Sequence, residues 1–199
     1  MEQLPKVLVS IIHQGWIRPE MLSVVDGLKG DPRASVQIST ISARPYENSM
    51  QTAARETVRG GYDYLINFDH DNVPTRNPID LIFIGKDIIG MPYPTYMYKD
   101  GRIETAFLAM EEKEDGYLDY KNRDGLQEVD AVASGALVVS RKVLETPITF
   151  EREWKDGFAI RGIDFNFCKK AKAAGFGVYA HYDYLAEHFK EIPLLQFLK

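Results

Sequence analysis

The sequence predicts a single α/β domain with a mainly parallel central sheet flanked by helices, and three observations lead there. Short β-branched runs alternate with segments of helical spacing through the first half of the chain. One such run, Tyr64-Leu65-Ile66-Asn67-Phe68, empties directly into Asp69-His70-Asp71. A chain of 199 residues with one cysteine is long enough to bury its own core without disulfides.

Lys6 to His13 is a nearly continuous β-branched run and reads as a first buried strand. The chain leaves it through Gln14-Gly15-Trp16, and Arg18-Pro19-Glu20 opens a helix to about Leu28, with proline tolerated in the first turn. Gly30-Asp31-Pro32 is a turn, and Val36 to Ile41 alternates as a second strand. From Glu47 to Arg59, Met50, Ala53, Ala54, Thr57 and Val58 share one helical face, and Gly60-Gly61 supplies the stop. The strand ending at Asp69 follows, with Pro74 closing its ladder nearby.

Asn77-Pro78 starts a short helix, and Asp87 to Tyr93 is another strand. From Tyr93 to about Glu128 the periodicity fades, which reads as an elaborated hairpin or a flexible loop, with Ile103 to Met110 able to pair as a strand. Val129 to Val139 is a strand of small and branched residues interrupted by Gly135, a mark of close approach by a ligand or backbone, or of a bulge. A capped turn follows at Ser140 to Glu145, then an aromatic and charged loop from Phe150 to Ile160. Asp164 stands near the N-cap of a helix that Gly175 ends, and Val178 to Tyr182 is a last strand. The apolar tail from Ile192 to Leu198 packs on the domain or on a second copy, so a homodimer stays open.

The formal charge of -5 argues against a general duplex-DNA binder. No apolar run is long enough to span a bilayer, the start of the chain lacks a signal-peptide pattern, and a cytoplasmic setting is the expectation. Cys168, in a helical pattern, reads as a packed thiol. No glycine-rich dinucleotide or P-loop fingerprint stands at the strand-to-helix turns.

Asp69 and Asp71 fall where ligands gather in open α/β sheets, beyond the carboxyl end of a strand. Hard divalent cations favour carboxylate oxygens, and Mg²⁺ typically takes one or two of them plus phosphate oxygens. The same pair can equally be turn and cap chemistry. Asp164 as a helix cap, Arg55 as an exposed helix residue and His188 as a histidine at a strand end are the corresponding plain readings.

Taken in order, the opening strand Val7 to Ile12, Ala54-Arg55, Asp69-His70-Asp71, the strand around Gly135 followed by Arg141, and Gly162-Ile163-Asp164 before a late His188 resemble the GT-A glycosyltransferases, in particular small family 2-like enzymes. The resemblance spans about Lys6 to His188. It implies a single GT-A domain of Rossmann-like, nucleotide-binding type. Residues 1–92 would form the nucleotide-sugar half and residues 93–199 the acceptor half. It further implies transfer from a nucleotide-diphosphate sugar to a hydroxyl of a glycan or other acceptor, with Mn²⁺ as the first candidate cation and Mg²⁺ as the second. On this reading Asp71 and His188 ligate the metal, with Asp69 helping through water or the donor ribose. His13, Gln14, Arg55 and His70 line the donor, and Asp164 is the general base. Ile163 stands where the family often has an acidic residue, so inversion and retention both remain open. Two rivals are a nucleotidyltransferase on a similar scaffold, whose first loop would usually be richer in glycine than His13-Gln14-Gly15-Trp16, and a binding module without turnover.

Overall fold

A computed structural model describes residues 3–99, 102–113 and 116–190. The strands are Lys6–Ile12 (β1), Ser35–Ile41 (β2), Tyr64–Asp69 (β3), Asn72–Pro74 (β4), Ile88–Gly90 (β5), Pro94–Lys99 (β6), Arg102–Phe107 (β7) and Ala109–Lys113 (β8). They continue with Gly116–Asp119 (β9), Leu126–Glu128 (β10), Ala131–Val132 (β11), Ala136–Ser140 (β12), Glu153–Lys155 (β13), Phe158–Arg161 (β14), Val178–His181 (β15) and Ala186–His188 (β16). The helices are Pro19–Lys29 (α1), Tyr46–Arg59 (α2), Ile79–Ile82 (α3), Arg141–Leu144 (α4) and Ile163–Ala173 (α5).

Seven strands form the central sheet in the order β10-β15-β5-β12-β3-β1-β2. Alternate side chains of each strand enter two separate cores. Leu8, Leu65, Leu137 and Val139 meet Met50 and Ala53 of α2 and Phe167 of α5 on one face. Val9, Ile66, Phe68 and Val138 meet Met21 and Leu28 of α1 and Leu81 of α3 on the other. The result is a three-layer arrangement, helices on both faces of a sheet. The helix stops act as glycines should: Gly61 and Gly175 adopt positive φ of 66° and 89° just past α2 and α5.

The expected mainly parallel sheet is in fact mixed. β1 runs parallel to β2 and β3 and β5 to β15, while β12 is antiparallel to both β3 and β5 and β10 to β15. β12 is buried throughout, and a strand covered on both faces looks the same in sequence whichever way it runs. Its direction is set by the excursion from Tyr93 to Glu128, which contains two hairpins, β6 with β7 and β8 with β9. The segment from Phe150 to Ile160, read as a loop, contains most of a further hairpin, β13 with β14, turning at Asp156-Gly157. The apolar run from Val129 to Val139 divides into β11 and β12 around Ala133-Ser134-Gly135. The tail from Ile192 to Leu198 lies outside the described residues.

The entry to β2 is tied to α3 by charge. Arg33 grips Asp31 with two bonds, at 3.0 and 2.7 Å, and reaches Asp80 at 2.6 Å, while Asn77 and Tyr184 complete the shells of the two carboxylates. The Arg33 hydrogen bond holds Asp31 well below the usual carboxylate range. Because a depressed carboxyl stabilises the fold above its unfolded pKa, Arg33→Ala should unfold at lower urea than wild type at pH 7. The difference from wild type should narrow below about pH 4, where Asp31 protonates in the unfolded chain. Urea unfolding at pH 7 and at pH 3 measures both; an equal deficit at the two would show that the ion pair is not its source.

Candidate active site

β1 sits between β2 and β3, so α1 and α2 leave on opposite faces and a crevice opens at the carboxyl ends of β1 and β3, the usual ligand position of such sheets. The loop after β1 is shaped by Gly15, whose φ of 114° suits only glycine and whose N–H donates to His13 Nδ1 at 3.1 Å. Gln14 is exposed on this loop. Trp16, also exposed, tilts against His70, with ring centroids 4.7 Å apart. The first loop and the carboxylate loop therefore meet, and His13, Gln14 and His70 share one rim.

Behind the rim, the backbone is fixed by a buried polar ladder. Ser10 Oγ donates to Asn67 Oδ1 at 2.5 Å, and Asn67 Nδ2 donates to the Ser134 carbonyl at 2.7 Å. All three residues are almost without solvent contact, where unpaired polar groups are costly, so the ladder fixes the Ser134-Gly135 turn over the end of β3. Gly135 accepts from the Asp69 N–H at 2.8 Å.

The three carboxylates differ. Asp69 is turned inward: Tyr46 donates its hydroxyl to Asp69 Oδ1 at 2.6 Å, and Ser134 Oγ lies 3.3 Å from the same hydroxyl. Burial pushes the Asp69 carboxyl up to about 7 against the Tyr46 hydrogen bond, and the charges of Asp71 and Asp164 add to the rise. Asp164 lies in the first turn of α5, two residues inside the N-cap Gly162, and its Oδ1 accepts from the Phe165 N–H at 2.9 Å. Its Oδ2 faces the Ser134 N–H at 3.4 Å, so Ser134 stands between Asp164 and the Tyr46–Asp69 pair. Burial raises the Asp164 pKa, with those backbone donors opposing it.

Asp71 looks outward toward β16, which pairs with β4 and sets His188 opposite Asn72. His188 Nε2 is 3.6 Å from Asp71 Oδ2, and its Nδ1 is 2.7 Å from the Pro94 carbonyl. A carbonyl only accepts, so Nδ1 carries a hydrogen and Nε2 is the ring nitrogen that faces the carboxylate. Tyr93 packs edge-on against His188, with centroids 4.9 Å apart. Lys190 Nζ contacts the same Asp71 Oδ2 at 2.7 Å. Burial works against ionisation of Asp71, but the His188 and Lys190 contacts prevail and hold its pKa below the usual carboxylate range.

A carboxylate oxygen and a ring nitrogen 3.6 Å apart fit a cation between them, and a histidine whose other nitrogen is tied to a backbone carbonyl is the usual arrangement around a metal ligand. Among the described residues no three His, Cys, Asp or Glu side chains converge, so Asp71 and His188 would supply two ligands, leaving the remainder to phosphate oxygens and water. Arg55 is not brought to this edge: it is exposed on α2, in a shallow groove with Leu144 and Glu145. Cys168 is buried and its thiol pushed up to about 12, a packed residue as expected.

Tyr46, Asn72, Tyr93, Ser134 and Lys190 also belong to the site, and sequence reading did not single them out. Only the Ser134-Gly135 step, a polar residue and a glycine inside an apolar run, carried a local signal. Asn72 and Lys190 stand beside Asp71 and His188 in the chain but carry no signal of their own, and Tyr46 and Tyr93 are brought in by contacts with residues far away in sequence. No helix among the described residues is long and apolar enough to cross a membrane.

No family model matches the sequence, and no curated protein does. Among solved structures, the chain is similar to that of A197 from STIV, with a TM-score of 0.63 at 21% identity over 94% of this chain and 86% of that one. An apo UDP-glucose pyrophosphorylase matches at a TM-score of 0.45 and 8% identity, over 92% of this chain and 75% of that one. HddC from Yersinia pseudotuberculosis matches at 0.37 and 11%, over 76% and 86%. The last two superpose too loosely to carry an argument. The likeness to A197 establishes a shared α/β fold, built on the mixed seven-stranded sheet, and nothing about chemistry.

Proposed function

We propose that the protein transfers a sugar from a nucleotide-diphosphate sugar to an acceptor hydroxyl, with a divalent cation held at Asp71 and His188. The observation that carries this reading is the 3.6 Å approach of Asp71 Oδ2 and His188 Nε2 at the carboxyl edge of the sheet, with His188 fixed from behind by the Pro94 carbonyl. The resemblance to family 2-like GT-A enzymes supplies the reaction class. A bound cation neutralises the diphosphate as it leaves. Asp71 and His188 fix that charge in the crevice, while Trp16 and His70 offer aromatic faces on its rim. Asp164, raised by burial and held on the first turn of α5, takes the acceptor proton. Asp69, bonded to Tyr46, orients the inner wall and the donor ribose.

The second reading, nucleotidyl transfer, has one point in its favour: a cation on Asp71 and His188 serves a triphosphate as well as a diphosphate. The two reactions separate by product, since a glycosyltransferase releases a nucleoside diphosphate and a nucleotidyltransferase releases pyrophosphate.

A thermal-shift panel of nucleoside diphosphates, triphosphates and nucleotide sugars, each with and without Mn²⁺, tests the proposal. One nucleoside diphosphate and its sugar conjugate should raise the melting temperature only with metal. At a hundredfold excess over Kd the gain is about 2.7 kcal/mol, or roughly 5–10 °C for a domain of this size. Asp71→Ala should weaken the metal-dependent shift roughly 10- to 100-fold in apparent affinity while its unliganded melting stays close to wild type. A protein that no nucleotide shifts, or an Asp71→Ala variant with the full shift, would overturn the assignment.

A further inference from the structure

Resting on the metal reading above, we propose that Lys190 is a resident substitute for the divalent cation at Asp71, so that the Lys190 contact and metal binding exclude one another at Oδ2. Three features of the geometry lead there.

First, the lysine and the histidine address one atom. His188 Nε2 and Lys190 Nζ lie 3.6 and 2.7 Å from Asp71 Oδ2, so the ammonium takes one of the positions from which a cation would draw on that oxygen. Second, the segment that carries them is pinned at its backbone. Phe189, between the two, donates its N–H to the Asp71 carbonyl at 2.9 Å, and its ring lies 4.0 Å beneath the Arg18 guanidinium. The main chain stays in place, and only the lysine side chain has to move. Third, the partners differ in freedom: the Asp71 side chain is 17% exposed and the Lys190 side chain 45%, so the ammonium can swing into water while the carboxylate stays.

A lysine suits this role better than an arginine would. Its ammonium is a point charge on a flexible stem, whereas a guanidinium grips a carboxylate with two parallel bonds. Without metal, Asp69, Asp71 and Asp164 press like charges into one crevice, and Lys190 is the cation that offsets them at Asp71.

The test is titration of Mn²⁺ alone, by calorimetry, into wild type, Lys190→Gln, Lys190→Arg, Arg76→Gln and Asp71→Asn, with circular dichroism checking that each is folded. Lys190→Gln should bind Mn²⁺ on the order of three- to tenfold more tightly, the worth of a half-exposed ion pair that no longer competes. Lys190→Arg restores charge and reach and should bind no more tightly than wild type. Arg76→Gln removes an equal charge from the loop after β4, where Arg76 lies over Tyr184 and not on Asp71, His188 or Phe189, and should leave the affinity unchanged. Asp71→Asn should lose binding.

Equal or weaker binding by Lys190→Gln, with wild type and Asp71→Asn behaving as stated, overturns the competition and leaves the metal site standing. A gain of the same size in Arg76→Gln also overturns it, because a general field and not a shared oxygen would then be responsible. If neither wild type nor Lys190→Gln binds Mn²⁺, the metal reading fails and this inference fails with it.

Discussion

Asp164→Asn should leave metal-dependent donor binding intact and slow transfer roughly 10²–10⁴-fold, the range expected when a general base is lost. The substitution is nearly isosteric. Asn retains a carbonyl oxygen that can accept from the Phe165 N–H, now at 2.9 Å from Oδ1, so the first turn of α5 keeps its support. What disappears is the ability to take a proton. Under the proposed function donor affinity would reside at Asp71 and His188, on the loop after β3 and on β16, and Asp164 is linked toward them through Ser134. The readout is therefore a split, with an unchanged donor-induced thermal shift beside a collapsed turnover, measured with an acceptor or with water as a slow substitute. The wild-type rate should also fall with acid, because a base works only when deprotonated. Since burial raises the Asp164 pKa, the midpoint of that fall should lie above the value of about 4 of an ordinary aspartate. Full turnover in Asp164→Asn would remove this residue from the chemistry.

Elements whose physics is local were legible in the sequence. The runs Val7 to Ile12 and Leu65 to Phe68 are buried strands because β-branched and aromatic residues fill both faces, and α2 ends where Gly60-Gly61 permits it. The position of Asp69 and Asp71 was legible as well, since both had to emerge where β3 runs out of the sheet. Strand direction was not. β12 is apolar on both faces, and its antiparallel course depends on the long excursion before it. The hairpin of β13 and β14 did have a signal, the Asp156-Gly157 turn between two short runs, with φ of 50° and 81° at the turn residues. Its charged and aromatic residues disguised it as a loop. The inner wall of the site was hidden for a different reason. Tyr46 meets Asp69 across 23 residues of chain and Ser134 across 88, and no periodicity records an encounter between single polar side chains. Arg55, singled out through the resemblance, lies on the exposed face of α2 because Ala53, Ala54 and Thr57 take the face turned to the core.

Gly135→Ala should weaken the site without removing any ligand, and comparison with Gly90→Ala shows why. A Cβ at Gly135 would fall 2.4 Å from Asn72 Nδ2, 2.5 Å from the Tyr93 hydroxyl and 2.8 Å from Asp69 Oδ2. A Cβ at Gly90 would meet only Val132, at 2.5 Å from its Cβ. Both substitutions overpack buried positions and should cost about 1–3 kcal/mol, lowering the melting temperature by several degrees. The consequences differ because the neighbours differ. At Gly90 the strain falls on a valine in the core, and the crevice keeps its shape. At Gly135 each of the three neighbours supports the site: Asp69 is the inner carboxylate, Tyr93 packs on His188, and Asn72 pairs with His188 between β4 and β16. Whichever of them yields, the Asp71–His188 approach or the Tyr46–Asp69 bond is displaced, so Mn²⁺ affinity should drop at least about tenfold, as for loss of second-shell support. Gly90→Ala should bind Mn²⁺ like wild type at a temperature where both variants are folded. Equal metal binding by the two variants would mean that the close packing at Gly135 serves the fold alone.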